Sequence, residues 1–180
     1  MAWPTLETER LVLRPLLAND LDALAELHAQ EAFWRHPFGR AWSRDETQAF
    51  LERTVQRYSD PGMAVSAVVL RSTGELAGWA GLSVPGFLPE ILPAVEVGWR
   101  LGQQLWGQGY ATEAGAAWVR YGFEELGLAE IVSIYEPDNI ASGAVMRRLG
   151  FTLEHVTSHP TRGVPLHVMA LAQSSWRERG

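Results

Sequence analysis

The sequence predicts an α+β fold, in which a mixed and mostly antiparallel sheet carries helices on both of its faces. Two runs of strand-like residues, 64–71 and 75–84, flank a Ser-Thr-Gly turn at residues 72–74, which is typical of a β-hairpin. A long helical run separates the strand-like residues 95–101 from 131–135, and a crossing helix makes such strands parallel. At 180 residues the chain is long enough for a substantial core. We therefore expect one domain over residues 1–180, with about seven strands.

The N-terminal third is predicted to begin with a strand and two helices. Residues 10–16 alternate in the manner of a strand, and Asn19 or Asp20 can cap the helix that follows. Ser43 and Glu46 have the spacing of a capping box, which opens a second helix that runs to about Tyr58. The apolar face of the first helix is formed by Leu21, Leu24 and Leu27.

The remaining elements follow from glycine, proline and hydrophobic patterns. Asn139 is placed to cap a short helix that Gly150 stops. In chain order we predict a proline-rich loop at 85–93, a strand at 95–101, a helix at 111–125, a strand at 131–135, the short helix, and strands at 151–158 and 165–171.

Composition excludes several classes of function. The chain has no cysteine, and its five histidines are scattered, so we expect no disulfide, no thiolate intermediate and no metal site. A formal charge of −6 disfavours nucleic acid as a partner and suits a cationic substrate. No apolar run is long enough to span a membrane and the first residues do not resemble a signal peptide, so we expect a cytoplasmic protein.

The most informative stretch is the glycine-rich segment 104–111, which lies between a predicted strand and a predicted helix. Two glycines one residue apart allow a sharp turn, and the helix beyond them offers unpaired N–H groups to an anion such as phosphate. A Walker A loop needs a lysine, which this chain lacks entirely. A dinucleotide fingerprint needs a third glycine where this chain has Thr112. A tight turn that needs glycine only for steric reasons stays possible on spacing alone.

The pattern Gln104-x-x-Gly107-x-Gly109 resembles the pyrophosphate loop of the GNAT acetyltransferases. Three further blocks, at residues 6–15, 96–101 and 139–151, resemble the RimJ/RimL branch of that superfamily, which contains the ribosomal-protein N-terminal acetyltransferases. These blocks occur in order and at family spacing over nearly the whole chain, which makes the resemblance specific.

The resemblance implies a site for acetyl-CoA as co-substrate. In GNAT folds the fourth and fifth strands splay apart, and the pantetheine arm of CoA pairs with backbone groups of the fourth strand. Here those groups belong to Trp99, Arg100 and Leu101. Asn139 is expected at a pantetheine amide, although the same residue also fits a plain helix cap. The expected pyrophosphate-loop residues are Gln104, Trp106, Gly107, Gln108, Gly109, Tyr110 and Ala111.

The resemblance also suggests two catalytic groups. Glu96 is the candidate base that takes a proton from the amine, directly or through water, and its alternative is a structural ion pair. Many GNAT enzymes use a tyrosine as the acid at the position of Met146, which has no proton to give. In the RimJ/RimL pattern Ser142 lies near the thiol, so we expect it there as donor to the sulfur, with helix capping as the alternative.

The acceptor is the least defined part of the sequence prediction. An aromatic group around the link between the first two helices is a plausible acceptor-facing wall: Phe33, Trp34, Phe38 and Trp42. The loop at 85–93 could border the same side or contact a second subunit in a homodimer. The preferred acceptor is a protein or peptide α-amine. The alternatives are a small amine (an antibiotic, polyamine or amino acid) and a non-catalytic acyl-CoA sensor; use of a longer acyl-CoA stays open.

Overall fold

The computed structural model describes residues 3–36, 39–59 and 63–179, and within them the chain forms eight strands and five helices. The strands are β1 Leu6–Glu7, β2 Leu11–Arg14, β3 Val65–Leu70, β4 Leu76–Ser83, β5 Glu96–Leu101, β6 Glu130–Tyr135, β7 Thr152–Ser158 and β8 Pro165–Ala172. The helices are α1 Leu21–His28, α2 Arg44–Arg57, α3 Tyr110–Glu124, α4 Ile140–Leu149 and α5 Gln173–Arg177. None of these helices is both long and apolar enough to cross a membrane.

The strands form a single sheet in the order β1-β2-β3-β4-β5-β6-β8-β7, in which β5 and β6 are parallel and the other neighbours antiparallel. This confirms the predicted mixed sheet. The additional strand is β1, whose two residues pair with β2 at the edge and are too few to alternate visibly. The C-terminal α5 is also absent from the sequence prediction.

Helices cover both faces of the sheet, as predicted. Successive strand residues point to opposite faces. On β3, Val68 belongs to the core that contains Trp118 of α3, whereas Ala67 packs with Leu24 of α1 and Leu51 of α2. The two cores therefore lie on opposite sides of the sheet, with α3 under one side and the α1–α2 pair over the other.

The predicted capping box of α2 is present. The Ser43 hydroxyl accepts the N–H of Glu46 at 3.2 Å, and the Glu46 carboxylate accepts the N–H of Ser43 at 2.8 Å. The prediction for α1 differs, because Asp20 makes no side-chain cap there. Its carboxylate accepts the guanidinium of Arg14 and the N–H of Leu17, both at 2.8 Å. Asp20 therefore anchors the end of β2 rather than the start of α1.

The two parallel strands separate soon after they meet. Among the described residues, β5 and β6 pair only at Glu96 and Val132. The hydroxyl of Ser133 then donates to the carbonyl of Val97 at 2.8 Å, which occupies the acceptor that the N–H of Ile134 would use in a continued ladder. Beyond this point a gap opens between the strands, and α3 and α4 both begin at its wide end.

Candidate active site

The glycine-rich loop leads directly into α3 at the wide end of the gap. Gly107 and Gly109 have φ angles of +75° and +85°, in the left-handed region that favours glycine. From Gly107 onward, the first backbone N–H with a backbone partner is that of Glu113, which donates to the carbonyl of Gly109. The described part of the chain offers no acceptor to the N–H groups of residues 107–112. Together with the positive end of the helix dipole, these groups can hold a phosphate.

Arg10 ties this loop to the start of the sheet. Its Nε donates to Glu113 at 2.6 Å, its Nη1 donates to the carbonyl of Gln108 at 2.9 Å, and its guanidinium lies 4.3 Å from the Tyr110 ring centroid. Burial alone would raise the pKa of Glu113, but hydrogen bonds from Thr8 and Arg10 outweigh it and hold that pKa below its usual value. Sequence reasoning missed Arg10 as a loop residue because its partners lie about a hundred positions away.

The remaining loop side chains fold back onto the loop. The indole of Trp106 donates to the carbonyl of Leu101 at 2.9 Å, and the amide of Gln108 donates to the carbonyl of Gln104 at 2.9 Å. Beside them the Gln104 side chain lies against Gly102. These contacts link the loop to itself and to the end of β5.

The edge of β5 that faces the gap is formed by alternate residues. Val95 accepts the N–H of Val132, so Trp99 and Leu101 also turn their backbone groups toward β6. The carbonyl of Leu101 accepts the indole N–H of Trp106, whereas the backbone N–H and carbonyl of Trp99 face the open gap. Arg100 differs from the expectation, because its backbone faces β4, opposite Trp79.

The side chain of Arg100 organises the segment after α1. Its Nη1 donates to the carbonyl of Phe33 at 2.6 Å and to that of His36, and its guanidinium lies 4.6 Å from the Trp34 ring centroid. Burial lowers the pKa of Arg100 to about 10. Phe33 and Trp34 are buried core residues, which corrects the expectation that they belong to an acceptor-facing wall; Phe38 lies outside the described residues.

Glu96 lies where the two strands part. Burial raises the pKa of this carboxyl to about 7, although a hydrogen bond from the backbone N–H of Ile134 acts to lower the pKa. Glu96, Gly98 and Arg100 share one face of β5. A Cβ added to Gly98 would meet no atom within 4 Å, so open space adjoins Glu96 on that face. A carboxyl that titrates near neutral pH beside open space can take a proton from an incoming amine.

Three segments that are distant in the sequence meet on the side of the sheet that carries Glu96 and Arg100. Glu136 accepts the Nδ1 of His36 at 2.8 Å and the Nη2 of Arg162 at 2.7 Å, so the segment after α1, the end of β6 and the β7–β8 turn are joined. These contacts hold the pKa of Glu136 below its usual value, against the effect of burial. With Asp138, His36 and Glu136 bring ligand atoms within 4.8 Å of one another, but Arg162 already supplies a positive charge to Glu136. Sequence reasoning missed this cluster.

The first turn of α4 carries Asn139 and Ser142. The Asn139 side chain accepts the N–H of Ser142 at 3.2 Å, which confirms the predicted cap. Within the described residues the Ser142 hydroxyl makes no hydrogen bond, so it is available to a ligand. Met146 is buried one turn further along.

The proline-rich loop contributes one buried and two exposed apolar side chains. Leu88 packs against Val132 and Val168, whereas Phe87 and Leu92 are 43% and 41% exposed. A role of the exposed pair in a homodimer stays a prediction.

The comparisons with known proteins agree on one family. A family model described as an acetyltransferase (GNAT) domain matches residues 10–152. The FsC-acetyl coenzyme A-N(2)-transacetylase of Aspergillus fumigatus is 38% identical over 157 residues, which cover 84% of this chain and 66% of that protein. An acetyltransferase structure from Agrobacterium tumefaciens superposes with a TM-score of 0.79 at 30% identity, covering 95% of each chain. The CoA complex of RimL, a ribosomal L7/L12 α-N-protein acetyltransferase, gives a TM-score of 0.79 at 20% identity, covering 94% of this chain and 98% of RimL.

Proposed function

This chain belongs to the GNAT acetyltransferase family, and from that premise we propose direct acetyl transfer from acetyl-CoA to a primary amine, with Glu96 as the base. The observation that carries the proposal is the Glu96 carboxyl, whose pKa is about 7, beside the open space over Gly98. GNAT acetyltransferases use acetyl-CoA as co-substrate, and relatives of this chain are named N-acetyltransferases. Neither the raised pKa of Glu96 nor the names of the relatives supports the alternative of a non-catalytic sensor.

The proposed path of CoA follows the unpaired backbone groups. Its pyrophosphate is held by the N–H groups of residues 107–112, where the dipole of α3 favours negative charge. The pantetheine arm is proposed to lie in the gap beside the backbone of Trp99, with Asn139, the N-cap of α4, as a partner for one of its amides. The thioester then lies between Glu96 and the first turn of α4.

The proposed chemistry begins when the amine enters over Gly98 and loses a proton to Glu96 or to a water molecule that Glu96 holds. The amine nitrogen attacks the thioester carbonyl, a C–N bond forms, and the C–S bond then breaks with its electron pair on sulfur. The free hydroxyl of Ser142 donates a hydrogen bond to the developing thiolate. The products are the acetylated amine and CoA.

Two acceptor classes are supported by different observations. We place a small cationic amine first, because the His36–Glu136–Arg162 contacts join three segments that would border an open peptide groove. A peptide α-amine, the acceptor preferred from the sequence, is the second candidate, and the resemblance to the RimJ/RimL branch favours it.

Two measurements test these proposals separately. Calorimetric titration should give one CoA site per chain, with NAD and ATP binding more weakly. Preference for NAD or ATP would overturn the acetyltransferase proposal itself. Thiol release from acetyl-CoA is then compared for spermidine, free lysine and peptides with small or polar first residues at matched concentrations. Faster turnover of the small amines is expected, and faster turnover of the peptides would move the α-amine to first place.

A further inference from the structure

We propose that Tyr135, oriented by His167, is the acid that protonates the departing CoA thiolate. The inference rests on the proposed acetyl transfer and assigns a residue to the protonation of the sulfur, for which the sequence offered only the Ser142 hydroxyl. Met146 stands where many GNAT enzymes have a tyrosine, and its thioether carries no ionisable proton. Ser142 can donate a hydrogen bond to sulfur, but an aliphatic hydroxyl is a much weaker acid than a phenol.

Tyr135 lies at the end of β6, where the gap is wide. It is three residues beyond Val132, the last residue of β6 that pairs with β5, so its backbone lies about 10 Å further along the strand. Its side chain projects to the opposite face of the sheet from that of Ile134. The phenol and Glu96, which contacts the N–H of Ile134, therefore border the gap from different sides.

The phenol of Tyr135 lies against the first turn of α4. A Cβ added to Gly143 would be 2.7 Å from Cε2 of Tyr135 and 3.1 Å from its hydroxyl oxygen. A side chain at position 143 would therefore displace the tyrosine ring. Gly143 is the neighbour of Ser142, so the tyrosine hydroxyl and the proposed sulfur site are adjacent to the same helical turn.

His167 holds the phenol in place. It lies directly opposite Tyr135 in the pairing of β6 with β8, its Nδ1 is 3.2 Å from the tyrosine hydroxyl, and the two rings meet edge to face at 89°. The imidazole is half-buried, so it links the phenol to solvent. His167 acts through Tyr135 and is a positioning residue.

The proton balance of the step is complete without another reactant. As the C–S bond breaks, the electron pair goes to sulfur and the O–H of Tyr135 gives its proton to the thiolate. The phenolate then regains a proton from solvent by way of His167. The proton lost by the amine leaves from Glu96, so each turnover returns both residues to their starting states.

The first test is Tyr135→Phe, which keeps the ring against Gly143 and removes the hydroxyl. We expect kcat with acetyl-CoA and the best amine to fall by roughly tenfold or more, since positioned proton transfer is typically worth 10²–10⁴-fold. The Kd for CoA from calorimetry should stay within about twofold. Tyr121→Phe is the matched control: it removes a hydroxyl near the C-terminal end of α3, and kcat should not change. An unchanged kcat in Tyr135→Phe, or an equal loss of CoA affinity, would overturn the inference.

The second test is a double-mutant cycle with His167→Gln. The single change should lower kcat, but in the Tyr135→Phe background it should have little further effect, because His167 acts only through the missing hydroxyl. Additive losses would contradict the pairing. Failure of the proposed function looks different: the unaltered protein would then fail to bind CoA or to acetylate any amine.

Discussion

Glu96 and Arg100 lie four residues apart on the same face of β5, and burial shifts their pKa values in opposite directions. It raises the pKa of the carboxyl to about 7 and lowers that of the guanidinium to about 10, because both charged forms lose hydration. The sequence predicted a role for Glu96 through resemblance alone. It could not predict that Arg100 binds the carbonyls of Phe33 and His36, since those partners are more than sixty positions away.

Replacing Glu96 by Gln tests the proposed base through the pH dependence of the rate. In the unaltered protein kcat/KM should fall as pH drops below about 7, because protonated Glu96 cannot accept a proton. The Gln variant should be much slower and should lose this limb. Rates measured between pH 5 and 9 check the prediction, and a limb that persists in the variant would place the base elsewhere.

The same Glu96→Gln change should also stabilise the protein without ligand at high pH. The folded-state pKa of about 7 exceeds the ordinary value of 4.5, so between these pH values the folded state binds more protons than the unfolded state. Stability therefore falls as pH rises through this window and stays reduced above it. The variant should gain roughly 3 kcal/mol at most at pH 8, at about 1.4 kcal/mol per pKa unit, and little near pH 4.5. Denaturant unfolding at both pH values measures the difference; equal effects would contradict the raised pKa.

Ser142→Ala separates catalysis from capping. The Ser142 N–H already binds Asn139, and its hydroxyl is free, so the change should leave the stability of α4 nearly intact. We expect kcat to fall by roughly tenfold, with little change in CoA affinity. Asn139→Ala is the control for the cap, with an expected cost of about 1 kcal/mol in unfolding free energy. Full activity in Ser142→Ala would leave the residue without a role at the sulfur.

Gly98→Val tests where the amine enters. The added side chain would fill the open space beside Glu96, and extended backbone tolerates valine. The KM for the amine should rise or turnover should vanish, while CoA affinity is unchanged; Gly98→Ala should give a smaller effect in the same direction. Normal amine kinetics in the valine variant would show that the acceptor binds elsewhere.

At the scale of elements, the local patterns were predictable and the separation of β5 from β6 was not. The strand before the glycine-rich loop, the helix after it and the capping box of α2 each depend on residues a few positions apart. The gap depends on the Ser133 hydroxyl reaching Val97, 36 positions earlier. No sequence pattern around Ser133 or Val97 predicts this hydrogen bond, so the gap was expected only from the family resemblance.

Gly109→Val tests the loop as a phosphate-binding element. Valine would be strained at a φ of +85°, and its Cβ would lie 3.3 Å from the Arg10 guanidinium and beside the free N–H groups. CoA binding should be lost while the protein still unfolds cooperatively. Gly74→Val carries matching strain at a φ of +75° in the β3–β4 turn, with no neighbour within 4 Å, and should lower Tm without affecting CoA affinity. Equal loss of binding in both variants would assign the effect to strain.

At the scale of the whole molecule, topology followed from the order of the elements, but the acceptor side did not. The proposed acceptor side contains His36, Glu136 and Arg162, which come from three separate segments and meet only in the folded chain. No spacing rule links them. The sequence therefore predicted a single domain with a mixed sheet and a CoA loop at residues 104–111, and it favoured a peptide acceptor, whereas the contacts in the folded chain led us to propose a small amine first.

The single bridging pair between β5 and β6 leaves the sheet in two halves, β1 to β5 and β6 to β8, with α3 packed across both. A pantetheine arm in the gap would complete the missing ladder, so the ligand would act as an extra strand that joins the halves. Cutting the chain within residues 126–129 should then give two fragments whose reassociation is strengthened by CoA. Such a split protein would report the presence of the coenzyme by complementation, independently of whether any amine is acetylated.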